Sequence, residues 1–191
     1  MSTTATPRVT LKLATSLDGK IALSNGQSKW ITGPESREVV HRIRAAHDAI
    51  LTGVGTILAD DPQLTARTHP LPEKQPDVIV LDRQGRMNMN AQVFKRGDRQ
   101  VILRASGDIA TAIVGYDSVM IEAGAQIAAA ALKADVVDTI EWFRAPKVLG
   151  GDGLSVFAGL GLESLDLAPM FRRISVIERG DDLQETYERI R

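Results

Sequence analysis

Cysteine is absent from the 191 residues, which removes disulfides, thiolate metal sites and cysteine nucleophiles. A surplus of charge is missing too. With 23 basic and 24 acidic side chains the formal net charge is -1, so no excess of positive charge drives phosphate-backbone binding and nucleic acid is not an expected partner. No apolar run approaches the roughly 20 residues that cross a bilayer, and no basic amphipathic stretch marks a surface anchor, so no membrane partner is expected. Residues 1–7 are short, small and polar, without the charged start and apolar stretch of a secretory signal; they are expected to form a loose tail, and the protein is expected to be cytoplasmic. The three histidines, His41, His47 and His69, have no metal-ligand spacing, and no metal is expected.

With 43% hydrophobic residues the chain can bury a full core, and residues 8–191 read as one domain. Val9, Leu11 and Leu13 alternate with Thr10, Lys12 and Ala14, the period-two pattern of a strand with one buried face, and Lys12 points away from that face. Thr32-Gly33-Pro34-Glu35 has capping-box spacing with proline in the first turn. It predicts a helix from Pro34 to Ala46 with the stripe Val39, Val40, Ile43 and Ala46, leaving Arg37, Arg42 and Arg44 off or beside the buried face. Ala49-Ile50-Leu51 reads as a short strand, the Thr52 to Thr56 segment as a glycine-bearing turn into a short helix, and Asp60-Asp61-Pro62 as its stop. Further strands are expected at Asp77 to Asp82, Gln100 to Leu103, Val119 to Ile121, Thr139 to Phe143, Arg173 to Ile177 and Leu183 to Ile190. A helix is expected from Ala125 to Ala134, and Asp181-Asp182 reads as a hairpin turn. Alternating strands and helices predict an α/β fold with a mainly parallel sheet and antiparallel strands at one edge.

Gly53-Val54-Gly55 before a helix has the chemistry of a phosphate-binding turn, because glycines let phosphate oxygens approach backbone N–H groups, but the third glycine of a dinucleotide fingerprint is missing. A tight turn without ligand is the equal alternative. Glu122-Ala123-Gly124 before a helix carries the same potential and the same ambiguity. Arg44 and Arg67 are the best anion-binding candidates, since a guanidinium pairs with phosphate through two parallel bonds. Trp30 sits in a polar stretch, which favours ligand stacking or a lid over packing. Arg83 follows a buried strand at its ligand-facing end and is a candidate for a cofactor phosphate, against the alternative of a solvated turn arginine.

Three blocks, Lys12 to Lys20, Ser28 to Thr32 and Leu51 to Pro62, resemble the reductase domain of the bifunctional riboflavin-biosynthesis deaminase/reductase family, and Ile121 to Gly124 and Ala145 to Gly151 extend the likeness in the same order. The resemblance implies a dihydrofolate-reductase-like three-layer α/β sandwich with a mixed sheet, a homodimer, and NADPH as hydride donor. It implies that Ser28, Arg44, Leu64, Arg67 and Glu122 bind the substrate, a phosphorylated pyrimidine whose ribosylamino side chain becomes ribitylamino. It implies a cofactor side at Ala14, Trp30, Thr56, Asp60 and the turn from Gly124 through Ala125 and Gln126 to Ala130. Lys12 matches a lysine near the reacting centre, and Lys12, Asp60 and Glu122 are the catalytic candidates. The family's zinc deaminase half is missing from these residues, so a separate deaminase partner is one expectation. Two alternatives remain: a reductase of the same fold acting on a pterin or another carbonyl or imine compound, and a non-catalytic phosphosugar- or nucleotide-binding subunit.

Overall fold

The computed structural model describes residues 6–191. Of the expected tail, residues 1–5 lie outside the described residues, and Pro7 is buried. The first strand, β1 (Arg8–Thr15), buries Val9, Leu11 and Leu13 on one face as the alternation requires. It is followed by β2 (Lys20–Ala22), α1 (Pro34–Ala45), β3 (Ala49–Gly53), α2 (Val54–Asp60), β4 (Asp77–Leu81), β5 (Val101–Arg104) and α3 (Ile109–Ala112). The chain continues through β6 (Ser118–Ile121), α4 (Ala125–Lys133), β7 (Thr139–Arg144), β8 (Leu154–Ser155), β9 (Phe171–Arg179) and β10 (Asp182–Arg189).

Eight strands form one sheet in the order β5-β4-β3-β6-β1-β7-β10-β9. All pairings from β5 to β7 are parallel, and β10 runs antiparallel to both β7 and β9, as expected of the last strands. Because side chains alternate along a strand, the sheet has two apolar faces. On one, Leu11, Leu51, Ile79 and Ile121 pack against Ile109 of α3 and Ala128 of α4. On the other, Ile50 and Val80 meet Val54 and Ile57 of α2, while Met120 and Phe143 meet Val39 and Val40 of α1. The result is a three-layer sandwich. Lys12 lies on the α1 side, opposite the Val9, Leu11 and Leu13 face.

Four expectations change. No glycine turn separates β3 from α2: Thr52 and Gly53 finish the strand, and Val54 starts the helix. Gly53 is a packing residue, since an added Cβ would sit 2.4 Å from Ile127 Cδ1 of α4. The spacing from Thr32 to Glu35 makes no capping box. The N-cap is Gly33, without a side-chain bond of its own, and the cap comes from Asp182, whose Oδ2 accepts from Gly33 N at 2.7 Å and Ser36 Oγ at 2.6 Å. The expected hairpin turn falls at Gly180 and Asp181, between β9 and β10; Asp182 itself opens β10 and is buried. Ala46, expected on the buried stripe, is the exposed C-cap. The short elements β2, β8 and α3 were not foreseen, being too brief to display a period. Among the described residues, no helix is long and apolar enough to cross a membrane.

Candidate functional site

The C-terminal ends of β1, β3 and β6 open onto a cleft of about 520 Å³ between α1, α2 and the start of α4. Lys12 and Ala14 enter it from β1, Arg44 from α1, Thr56 and Asp60 from α2, and Glu122 and Gly124 from the turn after β6. Ser28 and Trp30 line it from the segment before α1, and Leu64 and Arg67 from the segment after α2. The cleft thus gathers residues separated by more than 100 positions. Ala125 and Gln126 form the first turn of α4 behind Gly124. Arg83 stands apart: it is exposed at the end of β4, its side chain against Gly107, and does not line the cleft.

At the cleft floor Glu122 binds two cations. Its Oε2 accepts from Arg44 Nε and its Oε1 from Arg44 Nη2, both at 2.9 Å, and Oε1 lies 3.3 Å from Lys12 Nζ. The Glu122 side chain is 17% exposed. Burial pushes its carboxyl up, but the Arg44 guanidinium and the Lys12 ammonium outweigh burial and hold it below the ordinary carboxylate range. Glu122 is therefore a fixed anion at neutral pH. Arg44 gives its third contact to the Thr65 carbonyl, Nη1 to O at 3.0 Å, so both edges of its fork are engaged. Asp60 sits at the rim, 39% exposed and 3.7 Å from Lys29 Nζ; it takes no part in the Lys12 and Glu122 pair.

The segment 62–67 has no regular structure, yet side chains satisfy its buried backbone. Arg99 donates through Nη1 to Leu64 O at 2.7 Å and through Nη2 to Gln63 O. His41 and Arg44 both reach Thr65 O. Gln75 closes a reciprocal pair with Ala66, accepting from its N–H at 2.8 Å and donating to its carbonyl at 2.9 Å. Leu64, at φ 51°, is held in a conformation that L residues rarely adopt. These bonds fix the stretch that carries Leu64 and Arg67 into the cleft.

Trp30 is 65% exposed, and the Arg37 guanidinium lies 4.4 Å from its ring centroid, within cation–π range. Lys147 ties the same segment down by donating to the Trp30 and Ile31 carbonyls at 2.8 and 2.9 Å. Next to Lys147, Asp18 accepts from Ser16 Oγ at 2.6 Å and from the N–H groups of Leu149 and Gly150. Those bonds, the Ser16 hydroxyl first, lower its carboxyl to about 2.

Sequence reasoning missed His41, Arg99, Gln75 and Lys29. For His41 a signal existed: Arg37, His41 and Arg44 are spaced i, i+4, i+7, one face of a helix, and that face borders the cleft. Arg99 and Gln75 act on backbone carbonyls and amides far away in the chain, and no local pattern marks them.

The profile of the RibD C-terminal domain family matches residues 7–184. The riboflavin biosynthesis protein RibD of Aquifex aeolicus is 34% identical over 96% of this chain and 58% of its own length. A Thermotoga maritima structure, of a diaminohydroxyphosphoribosylaminopyrimidine deaminase/5-amino-6-(5-phosphoribosylamino)uracil reductase, superposes with a TM-score of 0.83 at 30% identity, over 96% of this chain and 57% of that one. The chain therefore spans somewhat more than half the length of these relatives. A dihydrofolate reductase of Enterococcus faecalis complexed with NADP(H) superposes with a TM-score of 0.61 at 14% identity, over 95% and 96% of the two chains. The expected dihydrofolate-reductase-like sandwich is the fold observed.

Proposed function

The chain belongs to the RibD C-terminal domain family, and from that premise we propose that it reduces the ribosylamino side chain of 5-amino-6-(5-phosphoribosylamino)uracil to ribitylamino, using NADPH. The observation that carries the reading is the arrangement of charge in one cleft: a fixed anion holding two cations at the floor, and an arginine without a carboxylate partner at the edge.

The cleft fits a nicotinamide cofactor. Beside it, α4 is capped by Gly124, where an added Cβ would meet nothing within 4 Å, and the N–H groups of a helix's first turn have no carbonyl partner within the helix. Such an end suits a pyrophosphate. Ala14, Trp30, Thr56, Asp60, Gly124, Ala125 and Gln126 would hold the cofactor, which supplies a hydride when bound. Arg83, at the end of a neighbouring strand, would meet the 2′-phosphate.

The remaining chemistry falls to the chain's own residues. A ribosylamine accepts hydride at its sugar carbon once the ring opens to an imine, and opening requires a proton at the ring oxygen. Glu122 is a poor donor because its two cations keep it ionised. Lys12, whose ammonium lies beside it, is the donor this reading selects, with Glu122 orienting the ammonium and accepting from ribose hydroxyls. Arg67 would fix the distant phosphate, together with Ser28 and the Leu64 backbone, and so set the reacting carbon in place. Arg44, already bidentate on Glu122, would act on substrate mainly by holding that carboxylate.

A homodimer belongs to the same proposal. β9 is an edge strand that exposes Ile174, Val176 and Ile177, with Leu183 beside them on β10, and an exposed apolar edge favours pairing. So does a deaminase partner in a cytoplasmic setting, given the Thermotoga relative's two named activities. The test is NADPH oxidation by the purified protein, followed at the nicotinamide absorbance band. Turnover with the phosphoribosylaminouracil and none with dihydrofolate is expected; equal turnover with dihydrofolate, or none with either, overturns the reading.

A further inference from the structure

The tautomer of His41 follows from its two neighbours. Nδ1 lies 3.0 Å from the Thr65 carbonyl, which can only accept, so Nδ1 carries the hydrogen. Nε2 lies 3.2 Å from both Nε and Nη2 of Arg67, which can only donate, so Nε2 is bare. The imidazole is thus neutral. The surrounding charges agree: half-buried on α1, it faces Arg44 from its own helix and Arg67 from the 62–67 segment, with Glu122 from the turn after β6 acting the other way. Burial first, then the two arginines, lower its basicity.

The consequence concerns Arg67. A guanidinium has two faces for a planar anion, the Nε and Nη2 edge and the Nη1 and Nη2 end. His41 takes the first, and among the described residues Nη1 has no partner and Arg67 makes no ion pair. A mobile exposed arginine loses much rotamer freedom on binding an anion; one already held by its Nε edge loses less.

We propose that His41 is a positioning residue: as a neutral acceptor anchored to Thr65, it holds the Arg67 side chain so that its Nη1 and Nη2 end faces the phosphate of the substrate. A neutral partner suits this role better than a carboxylate, which would cancel the charge the anion needs. The inference rests on the reading of Arg67 as phosphate anchor, and the experiment separates the two.

The experiment compares KM for the phosphorylated substrate with KM for the same compound lacking its phosphate, in wild type, Arg67→Ala, His41→Leu, His41→Gln and the double variant. His41→Leu is expected to raise KM for the phosphorylated compound about threefold to tenfold, the scale of one hydrogen bond, with kcat and the dephosphorylated KM unmoved. His41→Gln, which brings an amide oxygen close to where Nε2 stands, is expected to recover most of the loss. In the Arg67→Ala background His41→Leu is expected to add nothing. Equal effects on both compounds, or additive effects in the double variant, overturn the proposal by making His41 merely structural. If Arg67→Ala raises the phosphorylated KM and His41→Leu does not, this inference fails and the functional reading stands; if Arg67→Ala itself discriminates nothing, the functional reading fails. Nitrogen NMR of the wild-type ring at pH 7 gives a check that needs no variant to fold: a protonated Nδ1 and bare Nε2 are expected, and the opposite tautomer or an imidazolium overturns the proposal.

Discussion

Glu122→Gln removes one negative charge from a site where it faces two positive ones, and its cost should depend on pH in a way that packing defects do not. The carboxylate makes two 2.9 Å bonds to Arg44 and stands 3.3 Å from Lys12. Side-chain exposures of 12 to 17% place the three groups between surface and core. Charge-assisted hydrogen bonds contribute roughly 1.5–3 kcal/mol, and breaking a fully buried pair costs roughly 3–5; about 3 kcal/mol is a fair figure here. For a domain of this size each kcal/mol moves Tm by roughly 2–4 °C, so a fall of about 6–12 °C at pH 7 is expected. The folded-state pKa of Glu122 is depressed, so its contribution is complete above the unfolded carboxylate's pKa of about 4.3 and is lost as pH falls toward the folded value. Below that point each pH unit takes away about 1.4 kcal/mol. The Tm gap between wild type and Glu122→Gln should therefore stay constant from pH 7 to about pH 5 and narrow to roughly half by pH 3. Thermal melts across that range decide the matter: a gap that is constant throughout, or that widens in acid, would refute the account of Glu122 as an anion held by Arg44 and Lys12.

Arg67→Ala should raise KM for the phosphorylated substrate about tenfold to a hundredfold at nearly unchanged Tm, while Arg44→Ala should lose both Tm and kcat because it leaves the buried Glu122 with Lys12 as its one cation; steady-state kinetics with parallel melts distinguish them. Gly53→Ala should destabilise by about 1–3 kcal/mol through the clash with Ile127, and Ile127→Val in the same chain should restore part of it in denaturant titrations. Asp182→Ala should cost about 1–2 kcal/mol by uncapping α1, measurable as faster amide exchange in its first turn. Arg83→Ala should raise KM for NADPH and leave KM for NADH unchanged; an equal effect on both, or none, assigns Arg83 to the surface.

Most of the sheet was legible because its strands carry strong local signals. The alternation of Val9, Leu11 and Leu13 announced β1 and the side on which Lys12 would emerge, and the continuous apolar run of β4 announced a strand covered on both faces. The cleft was legible where motif residues sit at strand ends. What local pattern could not convey is which distant groups hold them. Asp182 reads as half of a polar turn, and its role depends on a helix start nearly 150 positions earlier. Gly53 reads as turn chemistry, yet its requirement comes from Ile127, on a helix on the far side of β6 in sequence. Likewise Arg99 has the sequence character of a surface residue and is buried only because three carbonyls, those of Gln63, Leu64 and Val93, converge on it. Tertiary polar contacts of this kind have no period to detect.

The cap on α1 has a consequence for biosynthesis. Chains emerge from the ribosome N-terminal end first, so the helix bearing Arg37, His41 and Arg44 is synthesised before the carboxylate that accepts from Gly33 and Ser36, which lies 149 and 146 residues downstream. Between those two points of synthesis the helix has its recognition residues but an unsatisfied first turn. The strand that Asp182 opens pairs with β7, which pairs with the strand carrying Lys12. Binding competence would thus arrive abruptly, when the β9–β10 hairpin docks, and a nascent chain stalled before residue 182 would present every cleft side chain without the contact that seats α1.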